Sequence, residues 1–191
     1  MELNTLQALY VDKLRDLYSA ENQILKALPK VIQTVTNEAL REALQTHRAQ
    51  TEQQVQRLEQ LFGELNESPK GKHCKGMEGL LAEASELMEE DAQEDVLDAG
   101  LIAAAQAVEH YEMAGYGSAR TYADLLGLRN HVEVLQQTLN EEGEADRILN
   151  EVAMTSVNLG ALDSGSDDEA DGNSMETARK ERSGSGRSHR G

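Results

Sequence analysis

A chain of 191 residues with a formal net charge of −17 and a single cysteine is long enough for one domain with a real core. The charge argues against a nucleic-acid-binding core, because phosphate would be repelled, and Cys74 alone excludes an internal disulfide framework and fits a reducing compartment. Ala, Leu, Glu and Gln dominate, Trp is absent and Pro occurs twice, so the expected class is all-α.

In chain order, the first predicted helix starts near Asn4, where Asn4 and Gln7 resemble a capping box, and reaches about Val35. Pro29 inside it predicts a bend or a tightened last turn. Thr36-Asn37 punctuates, and Asn37 can cap a second helix that ends near Phe62, before Gly63. Residues 63–73 read as a loop and 74–89 as a shorter helix that Cys74 enters; Cys74 reads as a buried structural thiol. The acids Glu89, Glu90, Asp91, Glu94 and Asp95 form a solvated link and helix start. A third long helix runs from about Glu94 to Leu126 with Gly127 as its stop, and a fourth from about Arg129 to Val157. Two hairpins joined by a crossover with its own short helix predict a ferritin-like four-helix bundle over residues 1–160. From Asp163 the composition turns to Ser, Gly and charge, so residues 161–191 are expected to be a disordered tail. Its end carries Arg179, Lys180, Arg182, Arg187 and Arg190. No apolar run nears the roughly 20 residues that span a bilayer, and Met1 to Leu14 lacks the pattern of a secretory signal, so a soluble cytoplasmic protein is expected.

Each long helix has a stripe of three- and four-residue steps, the repeat of one face, and each stripe is broken by polar residues. Helix one runs Leu14, Leu17, Glu21, Ile24, Leu28; helix two runs Leu40, Leu44, His47, Thr51, Val55, Leu58. Helix three gives Leu101, Ala105, Glu109, Glu112, Tyr116, and helix four Val132, Leu135, Leu139, Glu142, Asp146, Leu149. An unpaired acid inside a bundle costs several kcal/mol unless it is protonated, paired or metal-bound. Acids at mid-stripe on three helices, with His47 and Gln50 on the fourth, therefore point to a shared cation. The candidate ligands are Glu21, His47, Gln50, Glu109, Glu112, Glu142 and Asp146. A pair of ions about 3.5–4 Å apart needs bridging carboxylates, here Glu112 and Glu142, with Glu21, His47, Glu109 and Asp146 terminal. Imidazole tunes such a site towards iron, manganese or zinc. Tyr18 and Tyr116 are candidate donors to the carboxylates, His110 points about 100° off the face, and Glu52, Glu141 and Glu144 are expected in solvent.

The segments YSAENQILKAL, HRAQTEQQVQRLE, CKGMEGLLAEA, LIAAAQAVEHYEMAGYG and TLNEEGEAD together resemble the YciE/YciF family of bacterial ferritin-like proteins, over residues 1–157. The resemblance implies a ferritin-like bundle, usually dimeric, with a rubrerythrin-type di-metal site and a link to stress. Family members often carry a carboxylate where this chain has Gln50. The expected function is a di-iron or di-manganese carboxylate protein that oxidises Fe(II) or reduces peroxide. Its partners are then metal ions with O2 or peroxide, and a second copy of the chain. The rivals are a structural or interaction protein with a degenerate site, and a nucleic-acid-associated protector acting through the basic tail end.

Overall fold

The computed structural model describes residues 3–163. Helix α1 spans Leu6–Thr34, α2 Glu38–Leu65, α3 Lys75–Leu87, α4 Glu94–Leu125 and α5 Arg129–Val152, and no strand occurs among the described residues. The α1 cap is Thr5, one residue later than the Asn4 box predicts, its hydroxyl accepting from the Ala8 N–H at 3.1 Å. Pro29 lies inside α1, which continues unbroken to Thr34. Asn37 caps α2 through the Leu40 N–H at 3.1 Å, as the sequence indicates. Gly63 does not stop α2: the helix runs on to Leu65 and ends at Asn66, whose φ of 53° is the left-handed cap that Asn tolerates. Gly127, at φ 73°, ends α4 as expected. α5 passes into a π turn, Ala153–Val157, and the chain stays helical to residue 163. The expected tail beyond that point lies outside the described residues.

α1 packs on α2 and α4, and α5 packs on α2 and α4, so α1 and α5 sit on one diagonal and α2 and α4 on the other. Short links make α1/α2 and α4/α5 antiparallel hairpins. Contacts from Gln54 to Glu142 and from Glu64 to Asn130 set α2 antiparallel to α5. α2 and α4 therefore run the same way, and the connection between them must travel the length of the bundle, which is the ferritin-like topology. Residues 66–74 are tied to α1: Arg15 bonds the Ser68 carbonyl and the Glu67 carboxylate, both at 2.8 Å, and Lys72 pairs with Asp12 at 2.5 Å. α3 then lies on α4 and α1. Cys74 caps α3 and is fully buried, its sulfur 2.9 Å from the Tyr111 hydroxyl.

The apolar core is in two parts. One gathers Ile24, Leu40, Leu44, Leu101, Ile102 and Leu149. The other gathers Tyr10, Leu14, Leu58, Leu61, Phe62 and Leu135. Between them in every long helix come the buried polar residues: Glu21 in α1, His47, Thr51 and Gln54 in α2, Glu109 and Glu112 in α4, and Glu142 in α5.

Candidate metal centre

The buried face of α2 steps Leu40, Leu44, His47, Thr51, Gln54, Leu58, Leu61. The alternating steps of four and three put Gln54, not Val55, on the inward stripe; Val55 is half-buried. On α5 the buried face is His131, Leu135, Thr138, Glu142, Ala145, Leu149, Val152. Val132, Leu139 and Asp146, placed on the stripe by the sequence reading, are half-buried at its edge. Leu135, Glu142 and Leu149 are the positions the two versions share.

His47, Glu109, Glu112 and Glu142 each offer one ligand atom, and these atoms lie within 4.8 Å of one another. Glu21 joins them from α1: it is fully buried, and the Glu112 and Glu142 carboxyls act on it directly. The Tyr116 hydroxyl, one turn beyond Glu112, donates to Glu21 Oε1. Gln54 donates to Glu142 Oε1 at 2.5 Å and to Glu141 Oε2 at 3.2 Å. Arg57, which acts on Glu21 and Glu142, is occupied by Glu141, which it holds bidentately at 2.6 and 2.8 Å. Glu141 is thus half-buried and paired, a correction to its expected place in solvent: Arg57 reaches across from α2 and draws it in. Glu52 and Glu144 are exposed as expected.

Two other sequence candidates stand apart. Asp146 Oδ1 accepts from Gln106 at 2.9 Å and lies 3.3 Å from Nε2 of the exposed His110. Gln50 is half-buried and lines the opening between α2 and α5. Tyr18 donates to Glu59 at the surface, 2.9 Å away. Gln54 was missed by sequence reasoning; the seven-residue step from His47 is the signal that finds it.

Burial pushes the carboxyls of Glu21, Glu112 and Glu142 well above the usual range, and neighbouring carboxylates push the same way. Burial first, with Glu21 and Asp146 adding to it, raises Glu109 to about 8. Burial lowers His47 to about 4, so at neutral pH its imidazole is uncharged and keeps a lone pair for a ligand. The 3.4 Å approach of His47 Nε2 to Glu109 Oε1 is then a long contact between neutral groups and not an ion pair. Among the described residues, the buried side-chain atoms without a hydrogen-bond partner include Glu21 Oε2, His47 Nδ1, Glu109 Oε2, Glu142 Oε2 and both oxygens of Glu112. Buried polar atoms are nearly always satisfied; here Glu21 with Glu112 and Glu109 with Glu142 lie close enough to share protons, and the same cluster could hold a metal ion. One neutral imidazole with several carboxyls is a donor set that suits iron, manganese or zinc.

The fold and this layer define a ferritin-like bundle with a buried His/Glu cluster able to hold a metal ion. Residues 5–162 match the family described as a domain of unknown function, DUF892, and the chain belongs to it. The chain is 41% identical over 159 residues to Protein YciF of Escherichia coli K12, covering 83% of this chain and 96% of that protein. The crystal structure of that E. coli stress protein matches with a TM-score of 0.79 over 82% of this chain and 99% of its own. YcfI from Rhodopseudomonas palustris is 44% identical with a TM-score of 0.76, covering 78% of this chain and 95% of its own. The resemblance to the YciE/YciF family read from the sequence motifs is thereby borne out.

Proposed function

We propose that the chain is a di-metal carboxylate protein, with iron or manganese as the metal, working in the cytoplasm under stress in Fe(II) oxidation or peroxide reduction. The observation that carries this reading is the layer of unpartnered, buried carboxyl and imidazole atoms between two apolar half-cores. Glu21, His47, Glu109, Glu112 and Glu142 would hold the metal. Glu112, both of whose oxygens lack a partner, suits a bridging role. A bound iron or manganese pair supplies one-electron redox chemistry towards dioxygen or peroxide. The chain's own part is to hold the ligands in register: Tyr116 fixes Glu21, Gln54 fixes Glu142, and the half-cores exclude bulk water. The experiment is an anaerobic Fe(II) titration of metal-free protein. Two equivalents bound tightly are expected, and none bound by a folded protein refutes the reading.

A second reading has its own support. Asp146 is engaged by Gln106 and His110, and the neutral Gln50 stands outside the cluster, so a second metal would find fewer donors than the first. The same titration then stops at one equivalent, as a degenerate site requires.

A further inference from the structure

Between α2 and α5 the bundle opens into a cavity of about 460 Å3 with Ala43, Leu44, Ala145, Ile148 and Val152 among its walls. His47 and Glu109 also line it. They are 6% and 2% exposed, and each keeps a buried atom without a partner, Nδ1 of His47 and Oε2 of Glu109. The exposed Glu42 and Glu144 stand at the solvent side. A water takes up about 30 Å3 of liquid, so O2 or hydrogen peroxide would leave most of this space unfilled. The volume falls within the roughly 300–1,000 Å3 of small-molecule sites, which are likewise mostly apolar with a few convergent polar groups. Apolar walls disfavour a hydrated cation, and the carboxylates of Glu42, Glu144 and Glu151 at the mouth repel an anionic headgroup. What remains is a molecule with an apolar body and a neutral head that both donates and accepts hydrogen bonds.

We propose that this cavity is the substrate pocket of the carboxylate cluster and that it takes an organic hydroperoxide, its apolar body along Ala43, Ile148 and Val152 and its O–O group towards His47 and Glu109. The chemistry rests on the metal-site reading; the binding rests on the cavity alone. The O–O bond breaks. One oxygen leaves as water and the other stays on the organic product as an alcohol, with two protons from solvent and two electrons from two ferrous ions that become ferric.

The test has two arms on the full chain. In the first, metal-free protein is titrated with cumyl alcohol, the non-oxidising analogue of cumene hydroperoxide, and followed by ligand-observed NMR. Saturable binding is expected, with at least tenfold weaker binding in Ala43→Phe. In the second, iron-loaded protein is given cumene hydroperoxide or hydrogen peroxide, and Ala43→Phe is expected to lower the ratio of the two rates at least tenfold. Should that variant fail to fold, Ile148→Gln at the half-buried wall gives the same readings. Iron binding without saturable alcohol binding, or a rate ratio that the variants leave unmoved, overturns the pocket alone. Alcohol binding without iron binding overturns the metal-site reading, and the hydroperoxide assignment with it.

Discussion

Glu142 is where the demands on the cluster meet. It is fully buried, held by Gln54, and close enough to Glu109 and Glu141 for their carboxylates to oppose its ionisation. Glu142→Gln should therefore raise the stability of metal-free protein at pH 8 by about 1–3 kcal/mol, since a neutral isostere removes a carboxyl whose ionisation burial and its neighbours oppose. The same change should lower bound metal. Chemical denaturation and elemental analysis of the one variant check both halves, and a loss of apo stability would place Glu142 in a structural hydrogen-bond network. Tyr116→Phe leaves Glu21 without its donor, and metal affinity should fall about 10- to 100-fold, the usual effect of removing a group that orients a ligand; competition with a chelator measures it. At this scale the sequence was informative because acids at mid-stripe are costly and so conspicuous. Gln54 was less legible: an amide is cheap to place anywhere on a helix, and only the step of seven from His47 separates it from the exposed Gln53.

A helix of the bundle is located by its wide apolar face, and width blurs the centre. On α5 the large Val132 and Leu139 pull the predicted stripe one residue towards themselves, yet they pack at its margin. The small Thr138 lies inside because α2 approaches closely there, Arg57 reaching its hydroxyl at 3.0 Å. The α1–α2 corner shows a different gap. Asp98 on α4 is fully buried and accepts from the Thr36 N–H and hydroxyl and from the Asn37 N–H, at 2.7–3.1 Å. The sequence marks Thr36-Asn37 as a turn but not the acid, 61 residues on, that satisfies it. Asp98→Ala should cost about 3–5 kcal/mol, because several donors lose a charged acceptor at once. Asp98→Asn should recover part of that. Urea unfolding of the two variants reads the difference.

For the whole molecule, the layer makes stability depend on pH and on metal together. Glu109, raised from 4.5 to about 8, makes a contribution that is full below about 4.5 and is lost as pH rises through about 8, and Glu21, Glu112 and Glu142 are raised in the same direction. His47, lowered from 6.5 to about 4, acts oppositely: its contribution is present above 6.5 and is lost as pH falls through about 4. Above pH 6.5 only the carboxyls act, and metal-free protein should lose at least ~2 kcal/mol between pH 6.5 and 8.5, or about 4–8 °C in Tm. Metal binding replaces those protons, so the rise in Tm on adding Mn(II) should grow over the same interval. Calorimetry with and without a chelator tests both trends. The two-hairpin architecture was legible from caps and periodicity alone. The course of the crossover was not, since its ties, Arg15 to Ser68 and Lys72 to Asp12, are ordinary surface residues until the fold brings them together.

The account turns on a cation among the buried carboxyls. Crystals grown with Mn(II) or anaerobic Fe(II), with data collected on both sides of the metal's absorption edge, address it directly. Anomalous peaks within bonding distance of His47, Glu109, Glu112 and Glu142 are expected. A map without such peaks, the same side chains well ordered and satisfied by one another or by Arg57, would contradict it.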